Sequence, residues 1–185
     1  AGLRDVLTAG TLCGAVSQLF GEPAVVFKEK INYKLPGGGG FAPHQDAKAY
    51  AYGTSHITCL VAVDENTVEN GCLWFSPGAH RDGLLATGAD GCLSADVAEA
   101  LQWVAAAVPA GGATFFSSYV PHKSAPNHSP HSRRSLYVTY TRASEGDLRS
   151  AYYEERQRTM SQHDATAEGP LRISTIGHFQ GQAAD

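Results

Sequence analysis

Long apolar runs are missing from this 185-residue sequence, and no stretch approaches the roughly 20 apolar residues that a membrane-spanning helix needs. The opening residues AGLRDVLTAG also lack the basic-then-apolar layout of a signal peptide. Runs of like charge are absent, and at a formal net charge of −4 no Lys/Arg stripe is available to read a phosphate backbone. The expectation is a soluble, cytoplasmic protein with neither a membrane nor a nucleic acid as partner. Cysteines are few: Cys13, Cys59, Cys72 and Cys92 lie far apart, with no C-x-x-C pair and no histidine at zinc-finger spacing. They read as reduced core thiols, which argues against a disulfide framework or a structural zinc site.

What is present is enough apolar content, 43% of the residues, to bury one substantial core, so a single domain spanning 1–185 is expected. Residues 11–20 put Leu12, Val16, Leu19 and Phe20 on one helical face, closed by Gly21 and Pro23. From Ala24 to Leu35 the period changes to two, with Val25, Phe27, Glu29, Ile31 and Tyr33 opposite Val26, Lys28, Lys30, Asn32 and Lys34. Pro36 and Gly37 to Gly40 then predict a flexible loop. Further strands are expected over 56–64 and 72–75, with Asn70-Gly71 as a hairpin signal. A short helix is expected over 96–103. Residues 104–108 and 113–117 read as a second hairpin, and 133–141 as an alternating strand with Arg133, Ser135, Tyr137 and Thr139 on one face. After Arg142 the chain reads as a polar tail wrapping the outside, apolar again only from Ile173 to Phe179. Short strands with little helix between them predict a mainly β fold, a double-stranded β-helix (jelly-roll, cupin-like barrel) with a few flanking helices.

One constellation carries chemistry. His44 and Asp46 stand two residues apart, so in an extended segment both project to the same side and can share a metal ion. A third ligand should come from a distant strand, and His122 follows the apolar strand 113–117. Two neutral imidazoles and one carboxylate on one face of an iron leave three positions open, which suits oxygen activation beside a bidentate co-substrate. Eleven residues further on, Arg133 opens a strand on the same face as Ser135. A guanidinium with a hydroxyl beside it is the fixed bidentate cation that a dicarboxylate needs. Ser124 offers another hydroxyl near the third ligand. His128 and His131, among Pro126, Asn127 and Pro130, read as a turn.

The segments INYKLPGG, PHQD, VENGCL, SPGAHRDG, YVPHKSAPNHSPHSRRSLYVTY and ASEGDLR, in this order over about residues 24–150, resemble the phytanoyl-CoA dioxygenase-like family of iron(II)- and 2-oxoglutarate-dependent oxygenases. The resemblance implies a dioxygenase that uses Fe(II), 2-oxoglutarate and O2 to hydroxylate a small molecule. It makes His44, Asp46 and His122 the metal ligands and Arg133 the anchor for 2-oxoglutarate, and it suggests Lys34 as a further co-substrate contact; Ser135 and Thr58, by their strand faces, are candidates beside it, and Ser124 reads either as a co-substrate contact or as a turn former. Tyr50 matches a place that lines the substrate pocket in similar enzymes, and Lys28, Lys30 and Tyr33 are expected beside it. Similar sequences act on small zwitterions such as aminoethylphosphonates, and Tyr33, Tyr50, Tyr52 and Tyr119 are candidates to surround a quaternary ammonium. Asp46 argues for hydroxylation, because related halogenases carry a small residue in its place. The family's longer N-terminal helical region is only partly represented, so that part of the domain is expected to be incomplete. Three other readings stay open: a hydroxylase of the same family acting on another small molecule or an acyl-CoA, a zinc hydrolase or cupin-like site built on the same three ligands, and a non-catalytic metal- and 2-oxoglutarate-binding module.

Overall fold

A computed structural model describes residues 2–50 and 52–166; the expected apolar stretch Ile173 to Phe179 lies outside the described residues. In chain order the elements are α1 (Leu3–Thr8), α2 (Thr11–Phe20), β1 (Ala24–Lys34), β2 (Phe41–His44), β3 (Ile57–Ala62), β4 (Leu73–Phe75), α3 (Ala95–Ala100), β5 (Val104–Ala106), β6 (Ala113–Ser117), β7 (His122–Ser124), β8 (Arg133–Arg142) and α4 (Leu148–Thr166). The strands form two four-stranded antiparallel sheets, ordered β1-β8-β3-β6 and β2-β7-β4-β5. The double-stranded β-helix expected from the pattern of short strands is what forms.

Alternation along β8 sorts its side chains between two cores. Leu136, Val138 and Tyr140 turn outward and pack with Cys59 beneath Leu7, Cys13, Val16 and Phe20 of the N-terminal helices. Arg133, Ser135, Tyr137 and Thr139 turn inward, towards the second sheet. There Leu60, Ala62, Leu73, Val108, Phe116 and Val120 form the core between the sheets. Val16 and Val138 are fully enclosed, and each such burial contributes roughly 1.5–3 kcal/mol. Tyr140 fixes α1 to this core by donating its hydroxyl to Leu7 O at 2.9 Å. Leu19, expected on the buried face of α2, is 61% exposed, and Cys13 is buried instead.

β1 departs from a plain alternation. Its register against β8 shifts between Val26 and Lys28, so Phe27 is the extra residue of a bulge, and every side chain after it exchanges faces relative to those before it. Val26 packs outward with the helical core, whereas Lys28, opposite Thr139, begins the inward set that continues through Lys30, Asn32 and Lys34. The largely cationic face therefore points into the barrel, and Ile31 and Tyr33 remain 47% and 58% exposed. Phe27 itself is fully buried against Tyr50, His56 and Tyr152.

Both expected hairpins are corrected. β3 and β4 lie in different sheets, as do β5 and β6, because jelly-roll connections cross the barrel where a hairpin would fold back on its own neighbour. Asn70-Gly71 does turn the chain, with Thr67 N bound to Asn70 Oδ1 at 2.8 Å, but the turn bridges the two sheets. Gly71 adopts φ +75°, and a Cβ there would collide with Ala125 O. The glycine run is held in place: Gly37 N donates to Asn127 O and Asn127 N to Gly38 O. The polar segment after Arg142 is also corrected, since much of it is the helix α4, docked on β1 by Arg149 on the Glu29 carboxylate and by Tyr152 against Phe27. Low mean hydropathy concealed it, because α4 touches the barrel through a few aromatic and charged side chains.

Two outcomes follow from this packing. Burial pushes the Cys59 thiol up to about 12 and Cys92 up to about 11, and all four cysteines are buried and free. Iodoacetamide at pH 8 should leave the native protein unlabelled and modify all four thiols only in denaturant, as counted by intact mass. Tyr140→Phe should lower stability by about 1 kcal/mol in urea melts, because the buried carbonyl of Leu7 loses its donor.

Candidate metal centre and pocket

The second sheet brings the first imidazole pair together. His44, the last residue of β2, pairs with His122, the first of β7, and their ring centroids are 4.2 Å apart. Asp46 opens the single 3-10 turn Asp46–Ala49 that follows β2. Its carboxylate oxygens lie 3.8 Å from His44 Nε2 and 4.0 Å from His122 Nε2, too long for hydrogen bonds and wide enough to admit a cation. One ligand atom from each of the three residues lies within 4.8 Å of the others.

The far side of each ring is already committed. His44 Nδ1 lies 2.7 Å from Ala42 O and His122 Nδ1 lies 3.1 Å from Val120 O. A carbonyl oxygen only accepts, so each Nδ1 carries a proton and each Nε2 is the ring nitrogen turned towards Asp46. Burial is the chief cause holding His44 down at about 4, with His122 adding to it, so this imidazole is neutral at physiological pH. Burial alone would raise the Asp46 pKa, but His122, His44, Lys28 and Lys30 outweigh it and hold the carboxyl at about 2. Two imidazole nitrogens and one ionised carboxylate oxygen suit a divalent transition metal.

A second buried group lies deeper in the barrel, where Lys34 pairs with Arg133 across β1 and β8. Lys34 Nζ donates to Ser124 Oγ at 2.9 Å, Ala125 O at 2.5 Å and Gly71 O at 3.3 Å. Arg133 donates to Asn70 O at 3.2 Å, Gly71 O at 2.8 Å and Ser135 Oγ at 2.8 Å. Ser135 in turn donates to Asn66 Oδ1 at 3.0 Å. Among the described residues no carboxylate forms an ion pair with either cation, although both are almost fully buried. Burial first, then Arg133, pushes Lys34 down to about 8. Two buried cations without a counter-charge fit an anionic ligand, and a carboxylate has the geometry to answer the guanidinium.

Beside the three-residue cluster opens a pocket of about 500 Å³, part of it open to solvent. Its lining includes His44, Asp46, His122, Lys28, Lys30, Tyr50 and Thr58. Lys28 Nζ sits 4.5 Å above the Tyr50 ring and Lys30 Nζ 5.3 Å from that of Tyr137. Desolvation lowers the pKa of both lysines, against the opposing pull of Asp46. Thr58 shares a hydrogen bond with Thr139 at 3.0 Å. The Tyr50 hydroxyl is buried and faces Thr139 and Asp46 without a hydrogen bond of good geometry to either.

Of the residues expected to form the site, His44, Asp46 and His122 come together, as do Lys34, Ser124, Arg133 and Ser135, while Thr58, Tyr50, Lys28 and Lys30 line the pocket. Tyr33 does not join them: it alternates with Lys28, Lys30 and Lys34 along β1, so once those lysines face inward it lies on the outer face, away from the pocket lining. Tyr52 and Tyr119 are also outside the lining, so of the four tyrosines only Tyr50 reaches it. His128 and His131 sit in an exposed turn, as expected. Asn32, Phe41, Leu73, Phe116, Tyr137 and Thr139 also line the pocket. Tyr137 and Thr139 were legible as sharing the Arg133 face. Leu73 and Phe116 carried no signal beyond their apolar character.

A family model described as Phytanoyl-CoA dioxygenase matches residues 2–135. The chain belongs to the phytanoyl-CoA dioxygenase family. Its enzyme class is that of the 2-oxoglutarate-dependent non-haem iron dioxygenases. Within the family it is 50% identical to a methylphosphonate hydroxylase from Gimesia maris, over all of this chain and 71% of that protein. It is 41% identical to a 2-aminoethylphosphonate dioxygenase from an uncultured bacterium, over 91% of this chain and 65% of the relative. Among solved structures, the epimerase SnoN in complex with Fe3+, alpha ketoglutarate and nogalamycin RO shares the fold with a TM-score of 0.69 at 24% identity, covering 95% of this chain and 70% of that one. No described helix of this family member is long and apolar enough to cross a membrane.

Lys34 supplies a pH test of the buried cation pair. Between about pH 8 and pH 9 the folded chain has released the Lys34 proton and the unfolded chain, nearer the ordinary 10.5, still holds it. Unfolding free energy then rises with pH. Urea melts of the ligand-free protein should show that upward slope, and Lys34→Met should flatten it.

Proposed function

We propose that this protein hydroxylates a C–H bond of a small phosphonate, as one domain holding iron(II) on His44, Asp46 and His122 and 2-oxoglutarate on Arg133 and Lys34. The observation that carries the reading is the pairing of a three-ligand cluster with two buried, uncompensated cations in one barrel. His122 and Ser124, both on β7, are two residues or about 7 Å apart, and Ser124 is bonded to Lys34. A five-carbon dicarboxylate spans a comparable length. A zinc hydrolase needs no such anion anchor, which favours the oxygenase reading over it. When bound, iron and 2-oxoglutarate supply the oxidising chemistry: with O2, the co-substrate becomes succinate and CO2 while one oxygen atom enters the substrate C–H bond.

The protein's own part is to bind, orient and exclude water. Arg133, with Ser135 alongside, grips one carboxylate of the co-substrate; Lys34, Ser124 and Thr58 complete its surroundings. Lys28 and Lys30 present two ammonium groups to the pocket and suit the charge of a phosphonate. Their cost of desolvation falls when an anion arrives. The Tyr50 hydroxyl, in the pocket wall near Thr139 and Asp46, is placed to donate to a substrate oxygen. The relatives that act on methylphosphonate and 2-aminoethylphosphonate support this substrate class.

The assay is succinate release with Fe(II), 2-oxoglutarate, ascorbate and either phosphonate. His44→Ala should abolish turnover. Lys30→Ala should raise KM for the phosphonate about tenfold, a loss of about 1.4 kcal/mol, and leave KM for 2-oxoglutarate nearly unchanged. Arg133→Ala should do the reverse. Phosphonate-independent rates from the wild type at every concentration would rule the substrate class out.

A further inference from the structure

Gln45 stands between His44 and Asp46 and is 1% exposed. Its amide is bonded at both ends. Nε2 donates to Gly83 O at 2.8 Å and to Tyr119 O at 2.6 Å, and Oε1 accepts from Leu85 N at 2.8 Å. Gly83 and Leu85 belong to the connection between β4 and β5, and Tyr119 to the turn that leads into β7 and His122. The backbone on either side is tied as well, by Leu93 N to Pro43 O at 2.8 Å and by Ala47 N to Ser118 O at 2.9 Å.

The need for such ties is visible in the sheet. β2 is four residues long and its pairing with β7 is irregular between Phe41 and His44. The ladder therefore ends at His44, and nothing in the sheet fixes where Asp46 points. We infer that Gln45 is the positioning residue of the metal centre. Its amide locks the His44–Asp46 segment to the Tyr119 turn, so that ligands from two separate parts of the chain keep one geometry, and it holds the 83–85 loop to the same frame. The inference rests on the reading of His44, Asp46 and His122 as the metal ligands. Two donors facing two carbonyls and one acceptor facing an N–H fit an amide alone. A glutamate would set carboxylate oxygens against the carbonyls of Gly83 and Tyr119, and a methionine would fill the space with no hydrogen bond.

The test is calorimetric titration of the metal-free protein with Co(II) alone, beside thermal melts of each variant. Wild type should take up one ion, and His44→Ala should lose that binding. Gln45→Glu and Gln45→Met should each weaken Co(II) binding about 10- to 100-fold, the range seen when groups that orient metal ligands are removed. Tyr140→Phe, far from the centre in the helical core, should melt earlier and bind Co(II) as tightly as wild type, which separates loss of stability from loss of ligand geometry. If Gln45→Glu does not fold, Gln45→Met carries the comparison. Equal Co(II) affinity in wild type and in the folded Gln45 variants would overturn the positioning role and leave the ligand assignment standing. A wild type that binds no Co(II) would overturn the ligand assignment, and the positioning role with it.

Discussion

Because β2 and β7 run antiparallel with His44 opposite His122, two imidazoles from separate parts of the chain meet in ring contact, and a single rung of one sheet creates the candidate metal centre. Every other feature of the site is measured from that rung. Asp46 reaches the same point from the turn after β2, and backbone carbonyls at Ala42 and Val120 hold each ring with its Nε2 inward. Tethers of this kind cost the protein little, since the carbonyls would need donors in any case.

Opposite the ligand cluster, the first sheet contributes charge. The bulge at Phe27 turns three lysines into the barrel, where a protein interior would ordinarily tolerate none unpaired. Lys28 and Lys30 border the open pocket, while Lys34 is buried beside Arg133. Such an arrangement is unfavourable for an empty protein and favourable for one that takes up anions, so part of the stability of the folded chain is linked to what it binds. Gly71 contributes to the same cluster through its backbone, with a carbonyl that receives both Lys34 and Arg133.

Fold and site were unequally legible. The H-x-D spacing, the third histidine after an apolar strand and the arginine on an alternating strand are local patterns, and local patterns survive in the sequence. The short strands that announce a β-barrel are local in the same way. Strand partnership is not: Asn70-Gly71 has the composition of a hairpin turn, yet the strands flanking it belong to different sheets. Helix α4 leaves no apolar stripe in the sequence, because it docks through contacts such as Arg149 on Glu29 and Tyr152 on Phe27.

By itself the sequence determined the chemistry available: which side chains could bind a metal and which could bind a carboxylate. Alternation grouped the residues of β1 and β8 into faces, but tertiary structure decided which of those faces turned inward. One extra residue at Phe27 shifts the phase of β1, carrying the lysines after it inward and leaving Tyr33 outside, and no periodicity can reveal a bulge before the partner strand is in place. It likewise decided that Gln45, unremarkable between two ligands, would meet three separate backbone partners, because those partners are close only after the barrel has closed.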